Sequence, residues 1–471
     1  MNNKYKSLFS NTMVFAISNV ISKVILSLLL PLYTRTMSTS EYGTVELITT
    51  ISQLLYPALS FSIQDSAFRF AMDKNKKAEQ VLKNSLIVVL AGCIIFFPVS
   101  FALKGYRGIE EYWIYFYLFS VLSMVRSMLS LYVKGIKKTV VFSVDVVLYN
   151  GLLAITNFVF LAGLQLRIDG YFFSIVIASV VSICFLLWNS NICKVVKEII
   201  NKQLLKEMLK YSAPMILNSI SWGLTHVVDR VMLTGMMGSD ANGIYSAASK
   251  IPSLLSLVTT MFTQAWTISL IQDYETERDK KFYNLVFKLT HVGCLFCALI
   301  ILLFNNNLFA WILGESFAES VSYVPILIIG TLFLTYSNFF GSFFSAAKKS
   351  TLNMFTSVLG CVFNVVFNLL LIPKLGIVGA CIATAGSYVV ISITRIIFSQ
   401  KVYPIDMDLV RFCISLFVLL ICDVCVAIDK YAVFICIVAL IIEFAIYHSF
   451  INSIFQRVKL KFRKKKSKQY R

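Results

Sequence analysis

Apolar residues fall into long blocks along the whole chain, and polar residues gather in the short connections between them. Each block reaches the length of about 18 residues or more that an α-helix needs to cross a hydrocarbon core of roughly 30 Å. No water is available at that depth to satisfy the backbone, so these blocks are predicted to be helices. The pattern gives fourteen spans, at about 11–33, 42–62, 84–103, 112–133, 141–163, 170–189, 211–236, 244–271, 286–304, 323–346, 353–373, 379–398, 410–427 and 431–452. It predicts an all-α, polytopic membrane protein.

Composition agrees with this reading. Of 471 residues, 58% are hydrophobic and 14% charged, and the mean hydropathy is +0.77. The first apolar run is too long for a signal-peptide core and lacks a small-residue cleavage site, so it reads as a retained first span. The 11 cysteines are scattered within apolar segments and do not form a disulfide framework. Cys294 with Cys297, and Cys422 with Cys425, have C-x-x-C spacing, but His291 and Cys297 would point to different helix faces, so no shared metal is expected.

Charge sets the orientation. With the N-terminus inside, the inner connections and both tails hold 32 of the 43 Lys and Arg residues, and the outer connections hold 6. That bias predicts cytoplasmic termini and an even number of spans. The formal net charge of +19 is largely this asymmetry, and the nine positives between Arg457 and Arg471 suit anionic inner-leaflet lipid rather than nucleic acid.

Residues 191–210 carry Ile192, Val195, Val196, Ile199 and Ile200 at helical spacing with lysines between them, which predicts an amphipathic cytoplasmic connector. On either side the chain repeats itself. MSTSEYG (Met37–Gly43) and MGSDANG (Met237–Gly243) each come after the first span of a half, and Asn157 and Gly170 have counterparts in Asn368 and Gly379. The expected organisation is a six-helix bundle over 1–190, the connector, a second bundle over 211–400, two additional spans over 401–455 and a basic tail over 456–471.

Five basic residues lie inside spans: Lys23, Arg126, Arg230, Lys250 and Arg395. A cation at bilayer depth costs about 2.5–3.5 kcal/mol even on insertion scales, so each is a functional-site hypothesis. Lys23 shares a face with Asn19 and Ser22 and lies within roughly 2 Å of its span's centre, with Arg126 about 5 Å from its own. Arg395, nearer a span end, reads as a residue that snorkels to the inner interface. Span seven carries a polar stripe of Asn218, Trp222, Thr225, His226, Asp229 and Arg230. This is either a cavity-lining face with a charge pair or an Asp229–Arg230 network that fixes helix packing, with His226 as a hydrogen-bonding wall residue. Glu46 and Asp145 sit near span ends, and Asp423 and Glu443 belong to the last two spans. A cavity in spans 1–12 is therefore expected to be net positive, suited to an anionic substrate. No P-loop, H-E-x-x-H or catalytic triad is present, no cofactor is expected, and no outer connection could house a catalytic domain.

Three stretches resemble a known family. PLYTRTMSTSEYG (Pro31–Gly43) and DRVMLTGMMGSDANGIYSAASKI (Asp229–Ile251) are similar to the signatures of the polysaccharide transporter family, the Wzx-type oligosaccharide-lipid flippases. NVVFNLLLIPKLGIVGACIATAGSY (Asn364–Tyr388) resembles the wider multidrug/oligosaccharidyl-lipid/polysaccharide exporter superfamily. The resemblance implies two six-helix bundles facing a central cavity plus two extra helices. It also implies a non-enzymatic flippase in the bacterial cytoplasmic membrane that moves an undecaprenyl-pyrophosphate-linked oligosaccharide for O-antigen, capsule or exopolysaccharide, with a polysaccharide polymerase as a further partner. Lys23, with Arg126, would then meet the pyrophosphate. Alternatives are a lipid II-type or drug exporter of the same superfamily and, from another class, a membrane glycosyltransferase or polymerase.

Overall fold

The computed structural model describes residue 25 and residues 28–469 apart from 74, 107–108, 191, 275–279, 307–311, 348, 406 and 429–430. Within helices, the side chains at 192–193, 214, 217–219, 221–222, 225–226, 257, 261, 264–265, 268, 271–274, 350, 402, 454–455 and 457–469 also lie outside the description.

Among the described residues every regular element is helical. The first eight α-helices are α1 (Leu30–Thr36), α2 (Thr39–Leu59), α3 (Ile63–Ala71), α4 (Ala78–Ala102), α5 (Trp113–Gly135), α6 (Thr139–Asn157), α7 (Arg167–Asn189) and α8 (Ile192–Lys197). The next eight are α9 (Lys202–Met237), α10 (Ser239–Tyr274), α11 (Lys280–Phe304), α12 (Val324–Ala346), α13 (Ser350–Leu375), α14 (Ile377–Val402), α15 (Leu409–Ala427) and α16 (Ala432–Gln469). Thirteen of the fourteen predicted spans coincide with one of these helices, and only the end of the first span is described. Among the described residues, ten helices are long and apolar enough to cross a membrane. The chain is thus a multi-pass, all-α membrane protein.

The helices pack into two compact units, one of residues 1–250, 312–320 and 354–390, the other of 251–311, 321–353 and 391–471. In the first, connections predicted for the same membrane face meet each other. Thr39 Oγ1 donates to Asp240 Oδ1 at 2.6 Å, Arg167 pairs with Glu41 at 3.5 Å, and Gly314 N donates to Thr34 Oγ1 at 3.3 Å. Toward the opposite ends of these helices, Lys76 pairs with Glu207 at 2.7 Å, and Asn84 Nδ2 donates to the Asn201 carbonyl at 3.0 Å. The alternation of spans is therefore as the apolar pattern predicts.

The connector differs from its expectation. Helix α8 is only six residues long. Asn201 then caps a new helix, its side chain accepting from Leu204 N at 3.0 Å, so 202–210 form the start of α9 and do not continue α8. Val195 is buried while Val196, Ile199 and Ile200 are exposed, so the apolar positions do not share one inward face.

The two halves of the MSTSEYG/MGSDANG repeat meet reciprocally. A Cβ on Gly43 would overlap the Ser239 carbonyl oxygen and crowd Gly243 N; a Cβ on Gly243 would overlap the Thr39 carbonyl oxygen and crowd Gly43 N. Asn242 Nδ2 donates to the Gly43 carbonyl at 2.7 Å. Glycine is required here because the backbones of α2 and α10 cross in their first turns without room for a side chain. In the second unit, an aromatic core forms around Trp266, whose ring stacks on Phe339 at 4.8 Å between centroids.

Candidate functional site

A cavity of about 820 Å³ lies within the first unit, lined by α2, α5, α6, α7 and α9. Helix α5 gives it Phe119, Ser123, Arg126, Ser127 and Ser130, which recur at helical spacing and so share a face. Helix α2 adds Thr50, Gln53 and Tyr56, α6 adds Tyr149, and α9 adds Arg230. The lining combines two guanidinium groups with hydroxyl, amide and aromatic side chains, and no Asp or Glu is among the described residues that line it.

The carboxylates stand behind this wall. Arg126 Nη2 contacts Asp145 Oδ2 at 3.0 Å, and Arg126 Nε donates to Ser182 Oγ at 2.8 Å. Ser182 in turn donates to the other Asp145 oxygen. The Tyr149 ring covers the opposite side of the guanidinium, 3.7 Å from its Cζ. Asp145 is fully buried while the Arg126 side chain stays 21% exposed, so the acid fixes the arginine and leaves part of it free to face a ligand.

Glu46 on α2 plays the same part for two cations. Its Oε2 lies 3.2 Å from Arg230 Nη1 and its Oε1 2.8 Å from Lys250 Nζ. Tyr42, one turn earlier, donates to Oε1 at 3.1 Å, and Arg230 also donates to Thr50 Oγ1. A lone buried carboxylate would be costly; two cations and a phenol make it tolerable.

Asp229 turns away from its neighbour Arg230 and carries no cation among the described residues. Asn364 and Asn368 donate to its Oδ1 at 2.9 and 2.6 Å. Tyr245 and Thr384 donate to its Oδ2 at 2.8 and 2.6 Å. Four donors thus occupy both carboxylate oxygens of Asp229, and no group of three or more His, Cys, Asp or Glu suited to a metal exists among the described residues.

Of the residues singled out from the sequence, Arg126 and Arg230 line the cavity and Lys250 joins Arg230 at Glu46. Asn19, Ser22 and Lys23, and the side chains of Asn218, Trp222, Thr225 and His226, lie outside the described residues. Two expectations are corrected. Asp229 and Arg230 are not a charge pair, because consecutive helical residues point in directions about 100° apart. Arg395 does not snorkel: it is buried, and its Nη1 donates to the Ser337 carbonyl at 2.9 Å. In the described lining the charged side chains are Arg126 and Arg230, while Asp145 and Glu46 pair with them from outside it. Asn364, Thr384 and Tyr245 were not anticipated. The signal for the first was present as Asn364 and Asn368, a polar i, i+4 pair in an otherwise apolar span.

The model of a family described as polysaccharide biosynthesis protein matches residues 8–268, and the MatE family model matches residues 214–370. The capsular polysaccharide biosynthesis protein CapF of Staphylococcus aureus is 25% identical over 219 residues, 46% of this chain and 53% of that protein. An uncharacterized membrane protein of Methanocaldococcus jannaschii is 29% identical over 185 residues, 38% of this chain and 42% of its own length. The chain thus spans about half the length of these relatives. Among solved structures, the lipid II flippase MurJ in an inward closed conformation superposes with a TM-score of 0.72 at 14% identity, over 95% of this chain and 100% of that one. An inward-facing multidrug resistance MATE family transporter of the MOP superfamily gives 0.69 at 16% identity, over 85% and 99%. At such identities the likeness is one of fold.

Proposed function

Because the chain belongs to the polysaccharide biosynthesis protein family, we propose that it is a flippase that carries an undecaprenyl-pyrophosphate-linked oligosaccharide across the bacterial cytoplasmic membrane. The observation that carries this reading is the lining of the first unit's cavity. Two guanidiniums face inward while the acids that hold them stand behind. A pyrophosphate brings several negative charges with planar pairs of acceptor oxygens, which arginine meets through parallel N–H donors. The serine, threonine, glutamine and tyrosine positions beside them suit sugar hydroxyls and ring faces. Lys23 would add a further cation, and the prenyl chain stays in lipid.

Movement of the head group would use alternating access between the repeated halves, 1–190 and 211–400. The crossing of α2 and α10 at Gly43 and Gly243 is then the contact that parts when the other side opens. The lysine and arginine bias supports cytoplasmic termini. A drug exporter for cations would want acids on the cavity wall, and the described lining has none. A lipid II-type cargo shares the pyrophosphate and differs in the sugar and peptide groups attached to it, so it remains the second reading.

The test is surface polysaccharide output in the native host. Arg126→Ala and Lys23→Ala, each present at wild-type levels in the membrane, are expected to lower it at least tenfold. In vesicles, purified protein should move a fluorescent undecaprenyl-pyrophosphate oligosaccharide between leaflets. Normal output from both variants would overturn the cationic-cavity reading.

A further inference from the structure

The second unit holds a buried acid that the transport reading does not use. Glu443 lies about 1 Å from the centre of the span Ala432–Ser453, counting 1.5 Å per residue. It is fully buried. Ser415 Oγ donates to its Oε2 at 2.8 Å, while Oε1 has no hydrogen-bond partner among the described residues. No lysine or arginine among the described residues is ion-paired with it.

A hydrogen-bonded chain leads from this acid to a cavity. Ser415 Oγ lies 3.3 Å from the Tyr447 hydroxyl, and that hydroxyl lies 3.1 Å from His291 Nε2. His291 Nδ1 is fixed by the Tyr336 hydroxyl at 2.6 Å. Tyr336, His291, Tyr447 and Ser415 are all buried. His291 and Tyr447 also line a cavity of about 600 Å³ that runs along α11 past Lys288 and Asn284. That volume exceeds what several water molecules need. A core of helices built only to pack would not place two buried hydroxyls, Tyr447 and Ser415, in series between a cavity and an acid with an unpartnered oxygen, because each buried polar group costs free energy unless it is satisfied.

We propose that Glu443 is a proton-binding site, loaded from this cavity through Tyr447 and Ser415. A proton delivered to the Tyr447 oxygen releases that hydroxyl's own proton to Ser415 Oγ, whose proton passes to Glu443 Oε2. Each O–H bond broken is matched by one formed, and the net change is one proton moved from the cavity to the carboxylate. His291 holds the Tyr447 hydroxyl in line. The other charged or titratable groups on the packed elements include Lys280, Lys281, Tyr283, Lys288, Cys294 and Cys297 on α11, Arg411, Cys413, Cys422, Asp423 and Cys425 on α15, and Cys436 and His448 on α16 itself; Asp408, which caps α15, pairs with Arg411 at 3.4 Å. The site belongs wholly to the second unit and does not depend on the identity of the cargo.

Infrared difference spectroscopy of the full chain in lipid vesicles tests it. Stepping the pH should change a carboxylic C=O band that Glu443→Gln removes and Glu443→Asp moves. Tyr447→Phe and Ser415→Ala should keep the amplitude of that band but slow its appearance after a pH jump at least tenfold, and Ser415→Thr should restore the rate. A spectrum unchanged by both Glu443 variants would overturn the site. Wild-type rates in both Tyr447→Phe and Ser415→Ala would overturn the relay. Should Glu443→Gln fail to fold, the band shift in Glu443→Asp decides the matter.

Discussion

Asp145 binds Arg126 directly and again through Ser182, so removing the acid leaves a guanidinium at depth without its counter-charge. Breaking one side of a buried pair costs several kcal/mol, whereas removing both sides costs much less. Asp145→Ala is therefore expected to lower stability by about 2–4 kcal/mol, read as a fall in Tm in detergent. The Arg126→Ala/Asp145→Ala double variant should recover part of that loss while remaining inactive in transport. Recovery of transport in the double variant would assign Arg126 to packing alone. The cations of this site were legible in the sequence because a lysine or arginine inside an apolar run stands out by its cost. Their partners were not. Glu46 and Asp145 read as span-end acids, and Asn364, Asn368 and Thr384 lie more than a hundred residues from the Asp229 they hold. Helical spacing reveals which residues share a face on one helix, but not which faces of different helices meet.

At the scale of elements, the sparse repeat at Met37–Gly43 and Met237–Gly243 carried more structure than its few matching letters suggested. Both glycines are needed at one crossing, where the first turns of α2 and α10 touch backbone to backbone. An added methyl there meets a carbonyl oxygen rather than a yielding side chain, and overpacking of this kind costs about 1–3 kcal/mol. Gly43→Ala and Gly243→Ala should each disfavour this closed crossing. The measurement is a cross-link between Thr39→Cys and Asp240→Cys in a cysteine-free background, whose parent side chains are 2.6 Å apart. The yield should fall at least several-fold in either alanine variant, and forming the cross-link should stop transport until a reductant is added. Undiminished transport with the cross-link in place would mean that α2 and α10 need not separate. The connector shows the opposite case: a regular apolar spacing over 191–210 predicted one amphipathic helix, but the first helix stops at Lys197 and Asn201 caps a new one. Local hydrogen bonding at Asn201 outweighed a weak periodic pattern.

For the molecule as a whole, the membrane class and the helices at thirteen of the fourteen predicted positions came directly from the apolar blocks, because a spanning segment has a minimum length that composition alone reveals. Connections assigned to one face by counting do meet in space, as Thr39 with Asp240 and Lys76 with Glu207 show. Counting predicts which connections share a side; the lysine and arginine bias predicts which side that is. The two are independent, so the orientation can be tested by itself. A single cysteine at Asn75, in a cysteine-free variant, should resist an impermeant thiol reagent in intact cells and react once the membrane is opened. A single cysteine at Glu110 should react from outside at once. The reversed pattern would place the termini outside while leaving every helix of the fold where it is.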